Sequence, residues 1–179
     1  MKQRLLFILT VFIFMSCKTS FKVVENPTNY TTVIKKRKLT GVVFAANSTC
    51  LFCDSHKNRF TPTLEEVEKA ESIIRKDIEK INNPLISQGD GCPIIHKKLQ
   101  YYKRQYFGYV DESGNKIIET RFSWNRFTIF DKIRGYSKDE SENWKHEKEM
   151  VSDGCSHYWE VSVNITEEKL FGLSINGEG

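Results

Sequence analysis

Apolar residues recur at intervals of three and four from position 64 to 81. Leu64, Val67, Ala70 or Glu71, Ile74, Ile78 and Ile81 fall on one stripe, the spacing of an amphipathic helix with one buried face. Its start is marked twice, because Pro62 stands where a first helical turn tolerates a missing N–H and Thr63 with Glu66 has capping-box spacing. Asn82-Asn83-Pro84 ends it. Glu71 sits four residues before Arg75, the spacing of a surface ion pair. Past residue 100 the period becomes two. Tyr102, Arg104, Tyr106 and Gly108 alternate with Lys103, Gln105, Phe107 and Tyr109, and the turn cluster Asp111-Glu112-Ser113-Gly114-Asn115 leads into Lys116 to Phe122, which predicts a hairpin. Arg126 to Phe130 reads as a continuing strand after a bend, residues 131–150 as a charged surface excursion, and residues 157–164 and 169–174 as two last strands. Gly41 to Ala45 is a short strand ahead of the helix. One helix followed by four to five strands predicts an α+β domain, the helix packed on one face of a curved antiparallel sheet.

That element order resembles the cystatin-like and nuclear-transport-factor-like arrangements, although no Gln-x-Val-x-Gly inhibitory motif is present. At the other end of the chain, Lys2 and Arg4 precede an apolar run from Leu5 to Met15, the order of an export signal, and the run is shorter than the roughly 20 residues of a membrane-spanning helix. Phe14-Met15-Ser16-Cys17 resembles the lipobox of bacterial lipoproteins. In that family the cysteine takes a diacylglycerol, the signal is removed and the new amino terminus is acylated, so the resemblance implies lipidation of Cys17 and a lipid-anchored, periplasm-facing protein of the cell membrane or outer membrane. The segments Tyr102 to Tyr109 and Leu173 to Glu178 are similar to stretches of small uncharacterised lipoproteins of Flavobacterium-type bacteria. That family carries no activity over to this chain.

The expected organisation is therefore a signal peptide over residues 1–16, a lipidated basic tether over 17–38 and a single domain over 39–179. Charge supports the division: the tether holds six basic residues against Glu25 alone, while the formal +4 of the whole chain leaves about −3 from Leu39 onward. The globular part lacks the basic face that nucleic-acid binding needs, and such a ligand is not expected. Lys35 to Lys38 are a solvated run, or one that rests on anionic headgroups.

Five cysteines are present. With Cys17 given to lipid, Cys50, Cys53, Cys92 and Cys155 remain, an even number in a compartment that oxidises thiols, and the preferred reading is one or two disulfides among three pairings. Cys50-Leu51-Phe52-Cys53 also invites other chemistry. A c-type haem is excluded because residue 54 is Asp rather than His. A redox pair would want the motif to open a helix, and the helix begins later. Cys50, Cys53, His56 and His157 are the alternative, a zinc or thiol site, with Cys92, His96 and Cys155 as further donors, though His96 reads as a solvated loop residue. No cofactor and no catalytic group is expected.

Aromatic side chains crowd the strands on both alternating sets. One helix cannot cover both faces, so Tyr106, Trp124 and Trp159 are expected on an uncovered concave face that binds a protein, lipid or glycan. The competing expectations are a thicker core closed by the 131–150 excursion, or a homodimer.

Overall fold

In the computed structural model, residues 19–49, 58–135 and 142–177 are described. The helix predicted by the apolar stripe runs Leu64–Ile81 (α1). Thr63 Oγ1 accepts the Glu66 N–H, and a Glu66 carboxylate oxygen accepts the Thr63 N–H, so two donors that no helical carbonyl could reach are satisfied. Burial alone would push the Glu66 carboxyl up. The Lys116 ammonium, with the Thr63 amide and hydroxyl, holds it below its ordinary value of 4.5.

Eight strands make one sheet: β1 (Lys22–Thr28), β2 (Thr31–Lys36), β3 (Leu39–Phe44), β4 (Arg59–Phe60), β5 (Tyr102–Val110), β6 (Lys116–Trp124), β7 (Tyr158–Asn164) and β8 (Lys169–Ile175). Their order is β1-β2-β3-β5-β6-β7-β8, with β4 paired to β5 on the edge that β5 shares with β3. The β3–β5 pair is parallel and the others are antiparallel. Parallel neighbours need a long crossover, and α1 supplies it. A short helix α2 (Ile95–Lys98) and a 3₁₀ turn over Leu99–Tyr101 lead into β5.

The α+β class and the largely antiparallel sheet are as the pattern predicts, but the sheet has eight strands rather than four or five. Three of the added strands precede the helix. The segment expected to be a basic tether forms β1 and β2 instead: Ile34 and Val33 are buried on opposite faces of the sheet. The run Thr31-Thr32-Val33-Ile34 is β-branched throughout and fits a pleated, buried surface, which outweighs the basic residues that end the strand. The strand expected over Arg126 to Phe130 is also absent. Thr128 accepts the Asp131 N–H and the Asp131 carboxylate accepts the Thr128 N–H, a second capping box that opens a third helix, α3 (Ile129–Ile133).

Both faces of the central strands are covered. On the first, α1 lays Val67, Ala70, Ile74 and Ile78 against Ile34, Val43, Tyr106, Ile118, Phe122, Trp159, Val161 and Val163, with the Phe122 and Trp159 rings stacked 3.7 Å apart. A Cβ on Gly41 would lie 2.5 Å from the Tyr106 ring, which occupies the space a side chain would take. On the second face, Val33, Val42, Phe44 and Phe107 form a smaller cluster beneath Trp144. The strap over residues 142–151 is fastened there by Gln105, whose amide donates to the Trp144 and Glu147 carbonyls at 2.7 and 2.6 Å and accepts from the Glu149 N–H at 3.0 Å. Lys103 and Lys148 add ion pairs to Glu149 and Glu119 at 2.7 and 2.8 Å.

Glu71, expected at the surface beside Arg75, is buried on the apolar stripe. Its Oε1 accepts from Arg104 Nε at 2.7 Å and from the Tyr106 hydroxyl at 2.9 Å. Arg104 also donates to the Tyr102 and Leu99 carbonyls and lies over the Phe122 ring. Burial, then the neighbouring carboxylate, pushes the Tyr106 hydroxyl well up, so it remains a donor.

Removing one partner of such a pair leaves a buried, uncompensated charge. Arg104→Met is expected to cost about 3 to 5 kcal/mol, with most of the loss regained when Glu71→Gln is added; urea unfolding of the two single variants and the double variant measures that coupling. Glu66 supplies stability that is complete above pH 4.5, the ordinary value, and is lost as pH falls through its depressed folded value. Glu66→Gln should therefore flatten the acid limb of a stability-against-pH curve and leave its slope near neutrality unchanged.

Candidate functional site

One end of the sheet, where β5 and β7 begin and β6 ends, gathers the side chains with chemistry to offer. The chain reaches it through Asn82, the buried C-cap of α1. Asn82 and Gln88 exchange two amide hydrogen bonds at 3.0 and 2.6 Å, and Gln88 Oε1 also accepts the Ile95 N–H. His96 is no solvated loop residue: its Nδ1 is 3.1 Å from Asn82 Nδ2 and its Nε2 is 3.6 Å from Glu79. This network folds the loop after α1 back toward the start of β7.

There Cys92 is bridged to Cys155, sixty-three residues later, with Cα atoms 6.2 Å apart. Gly154 and Cys155 both have left-handed backbone, at φ 93° and 46°, a reversal that glycine makes without strain. The surrounding bonds are dense. Cys155 N–H donates to the Gly177 carbonyl, Ser156 N–H to Ser87 and the Ser156 hydroxyl to Pro93. The Tyr102 hydroxyl, held protonated by burial, donates to the Ser156 carbonyl at 2.8 Å. His157 Nδ1 lies 3.3 Å from Cys155 Sγ and 3.1 Å from the Gly154 carbonyl, with its ring edge-on to Trp124. Trp124 in turn meets Tyr101 and Tyr102, and the Arg126 guanidinium lies 4.5 Å over the Tyr101 ring.

Chemically, the site is a staple with an imidazole beside it. One ligand atom each from Cys92, Cys155 and His157 lies within 4.8 Å of the others. Bridged sulfurs carry no thiolate charge for a metal. Reduced, the same atoms would offer two thiolates and an imidazole, three of the four donors of a structural zinc.

Of the residues singled out by the sequence, Cys17, Cys50, Cys53 and His56 lie outside the described residues. Cys92 and Cys155 are brought together as a disulfide, and His157 joins them. The concave binding face is overturned: Tyr106 is 0% and Trp159 3% exposed beneath α1, and Trp124 is half-buried at the sheet's end. The strap covers the central part of the opposite face, as the thicker-core alternative has it. Sequence reasoning missed Arg104 and Gln105, polar residues buried by their partners, although a strand with both faces covered is the context that demands such partners.

Elsewhere an open groove of about 400 Å³ runs between α1 and the β7–β8 hairpin. Its charges are already matched, Lys80 to Asp77, Lys169 to Glu167 and Lys69 to Glu168, so it presents no unsatisfied charge. Among the described residues no helix is long and apolar enough to cross a membrane.

Closing a loop of this length restricts the unfolded chain, and replacing Cys92 and Cys155 by Ala is expected to cost about 2 to 4 kcal/mol. The denaturation midpoint of that variant should fall and no longer respond to reductant at this bridge, whereas the parent's should respond.

No family model, curated protein or solved structure matches this chain.

Proposed function

We propose that the protein is an exported, lipid-anchored module of the bacterial cell envelope that works by binding or by structure rather than by catalysis. The observation that carries the reading is the Cys92–Cys155 bridge. Disulfides persist in oxidising compartments, which agrees with the export pattern of Leu5 to Met15 and the lipobox-like Phe14-Met15-Ser16-Cys17. The buried polar groups add support: Glu71 is engaged by Arg104 and Tyr106, and Gln105 by the backbone of the strap, as framework. The ligand, of protein, lipid or glycan class, meets a surface other than the face of Tyr106 and Trp159.

A thiol or metal reading is favoured by one observation, the convergence of Cys92, Cys155 and His157. Cys50, Cys53 and His56, the donors first expected for it, lie outside the described residues.

Intact mass separates the two. Chain recovered from an exporting bacterial host should have lost residues 1–16 and gained diacylglycerol and acyl mass on Cys17, and Cys17→Ser should leave it unlipidated and no longer retained by membranes. Mass rising only on reduction fits the staple. A metal lost on denaturation, with free thiols at Cys92 and Cys155, would replace it with the metal reading.

A further inference from the structure

The short helix α3 carries its apolar residues outward. Ile129, Phe130 and Ile133 are 70%, 68% and 75% exposed, and Phe127 beside them is also exposed. Apolar side chains gathered on one protruding turn are uncommon on a protein surface unless something covers them. Other apolar side chains are exposed too, among them Val23, Val24, Ile86, Met150 and Phe171, but they stand singly or in neighbouring pairs on β1, β8 and separate segments, whereas α3 and Phe127 gather four within seven residues.

Strand register shows what shares their end of the molecule. Gly41 pairs with Arg104 in the parallel β3–β5 ladder, and Tyr102 pairs with Trp124 across β5–β6. The β2–β3 turn at Arg37-Lys38 therefore stands level with Tyr101 and with Asn125, where the chain departs for α3. β2 and β6 are three strand spacings apart, about 14 Å. Lys22 pairs with Lys35, so Thr19, the first described residue, emerges at this same end, and Arg37 Nε donates to its hydroxyl. Two positions earlier in the sequence stands Cys17.

The charge of this end is basic. Lys35, Arg37 and Lys38 are exposed on the first hairpins, Lys97 and Lys98 on α2 beside the start of β5. Lys132 and Arg134 are exposed on and just after α3 itself. Asp131 among them is occupied by its cap, its carboxyl held down by the Thr128 hydroxyl and amide. Among the described residues, Asp90 and Asp153 are the acids of the neighbouring loops, and the nearby carboxylates Glu68, Glu79 and Glu149 are paired with Lys36, His96 and Lys103.

We infer that this end of the sheet is a membrane-contact surface, which seats Ile129, Phe130 and Ile133 in the headgroup region of an anionic bilayer while the surrounding lysines and arginines meet lipid phosphates. Apolar side chains flanked by basic ones suit such an interface, and the place where the chain emerges from the fold puts the surface against the leaflet that a lipid on Cys17 would occupy. The inference deepens the anchored reading without depending on it, because the basic and apolar groups belong to the folded domain. Each basic residue near an anionic surface contributes about fivefold in partitioning.

The test uses the full chain from an exporting host, with its intact mass read first, mixed with vesicles of phosphatidylcholine with or without phosphatidylglycerol and with brominated acyl chains. Tryptophan is placed by Ile133→Trp on α3 and, at the opposite end, by Ser113→Trp in the β5–β6 turn. Both sites are exposed, so neither substitution burdens folding. In anionic vesicles the added emission of Ile133→Trp should be quenched several-fold more than that of Ser113→Trp, and by at most half as much without phosphatidylglycerol. Equal or absent quenching at the two positions on vesicle-bound chain overturns the inference and leaves the anchor standing. Mass without lipid at Cys17 overturns the anchor, and quenching of that unlipidated chain on anionic vesicles then upholds the surface by itself, while its failure to bind them rejects it. A lipid-free, concentration-dependent blue shift of Ile133→Trp would assign the patch to a second copy of the chain instead.

Discussion

The buried contact between Glu71 and Arg104 constrains everything around it. A carboxylate and a guanidinium enclosed between a helix and a sheet have no water to fall back on, so the helix cannot slide by a turn or roll by a residue without stranding one of them. Arg104 lies on β5, the strand that pairs with β3, β4 and β6 at once. Fixing α1 to that strand fixes it to the hub of the sheet. Tyr106 donates to the same carboxylate oxygen and its ring fills the space over Gly41, which carries the constraint across to β3.

β5 is unusual in being buried on both sides through most of its length. Its alternation still divides the side chains by face, Tyr102, Arg104 and Tyr106 toward α1 and Lys103, Gln105 and Phe107 toward the strap. Gln105 treats the strap as another strand would, giving and receiving backbone hydrogen bonds through its amide. A segment with few apolar residues of its own is thereby held over a second, smaller core, and the Lys103 ammonium lies 5.0 Å from the Trp144 ring in the same contact.

What the sequence made legible were the elements with two agreeing signals. The helix had both a capping box and a stripe, and the strands after residue 100 had alternation bounded by turn residues. β1 and β2 had strand composition, but the weight given to their lysines obscured the β-branched run between them. Residues 126–130 alternate like a strand, and the Thr128–Asp131 spacing that starts a helix was the weaker mark on paper. The aromatic residues were placed on a surface because one helix cannot cover both alternating sets; the charged strap closes part of the second face through the pairs Glu149 to Lys103 and Lys148 to Glu119, while Arg121 donates to the Glu149 carbonyl. Glu71 was ambiguous from the first, since it sits on the stripe and also four residues before an arginine. The cysteine pairing depends on the course of the loop after α1, which no local pattern encodes.

The parallel contact between β3 and β5 also orders events during synthesis. Three strands at the amino-terminal side can pair among themselves as soon as they leave the ribosome, but Val43 must wait for Tyr106, about sixty residues and roughly 3 to 12 s later at ordinary elongation rates. For that interval the nascent meander presents the open edge of β3, its hydrogen-bonding groups unpaired and Ile34, Val42 and Phe44 uncovered, the kind of template on which other chains assemble. Any factor that covers the open edge of β3 until β5 arrives is the natural protection for a chain built in this order.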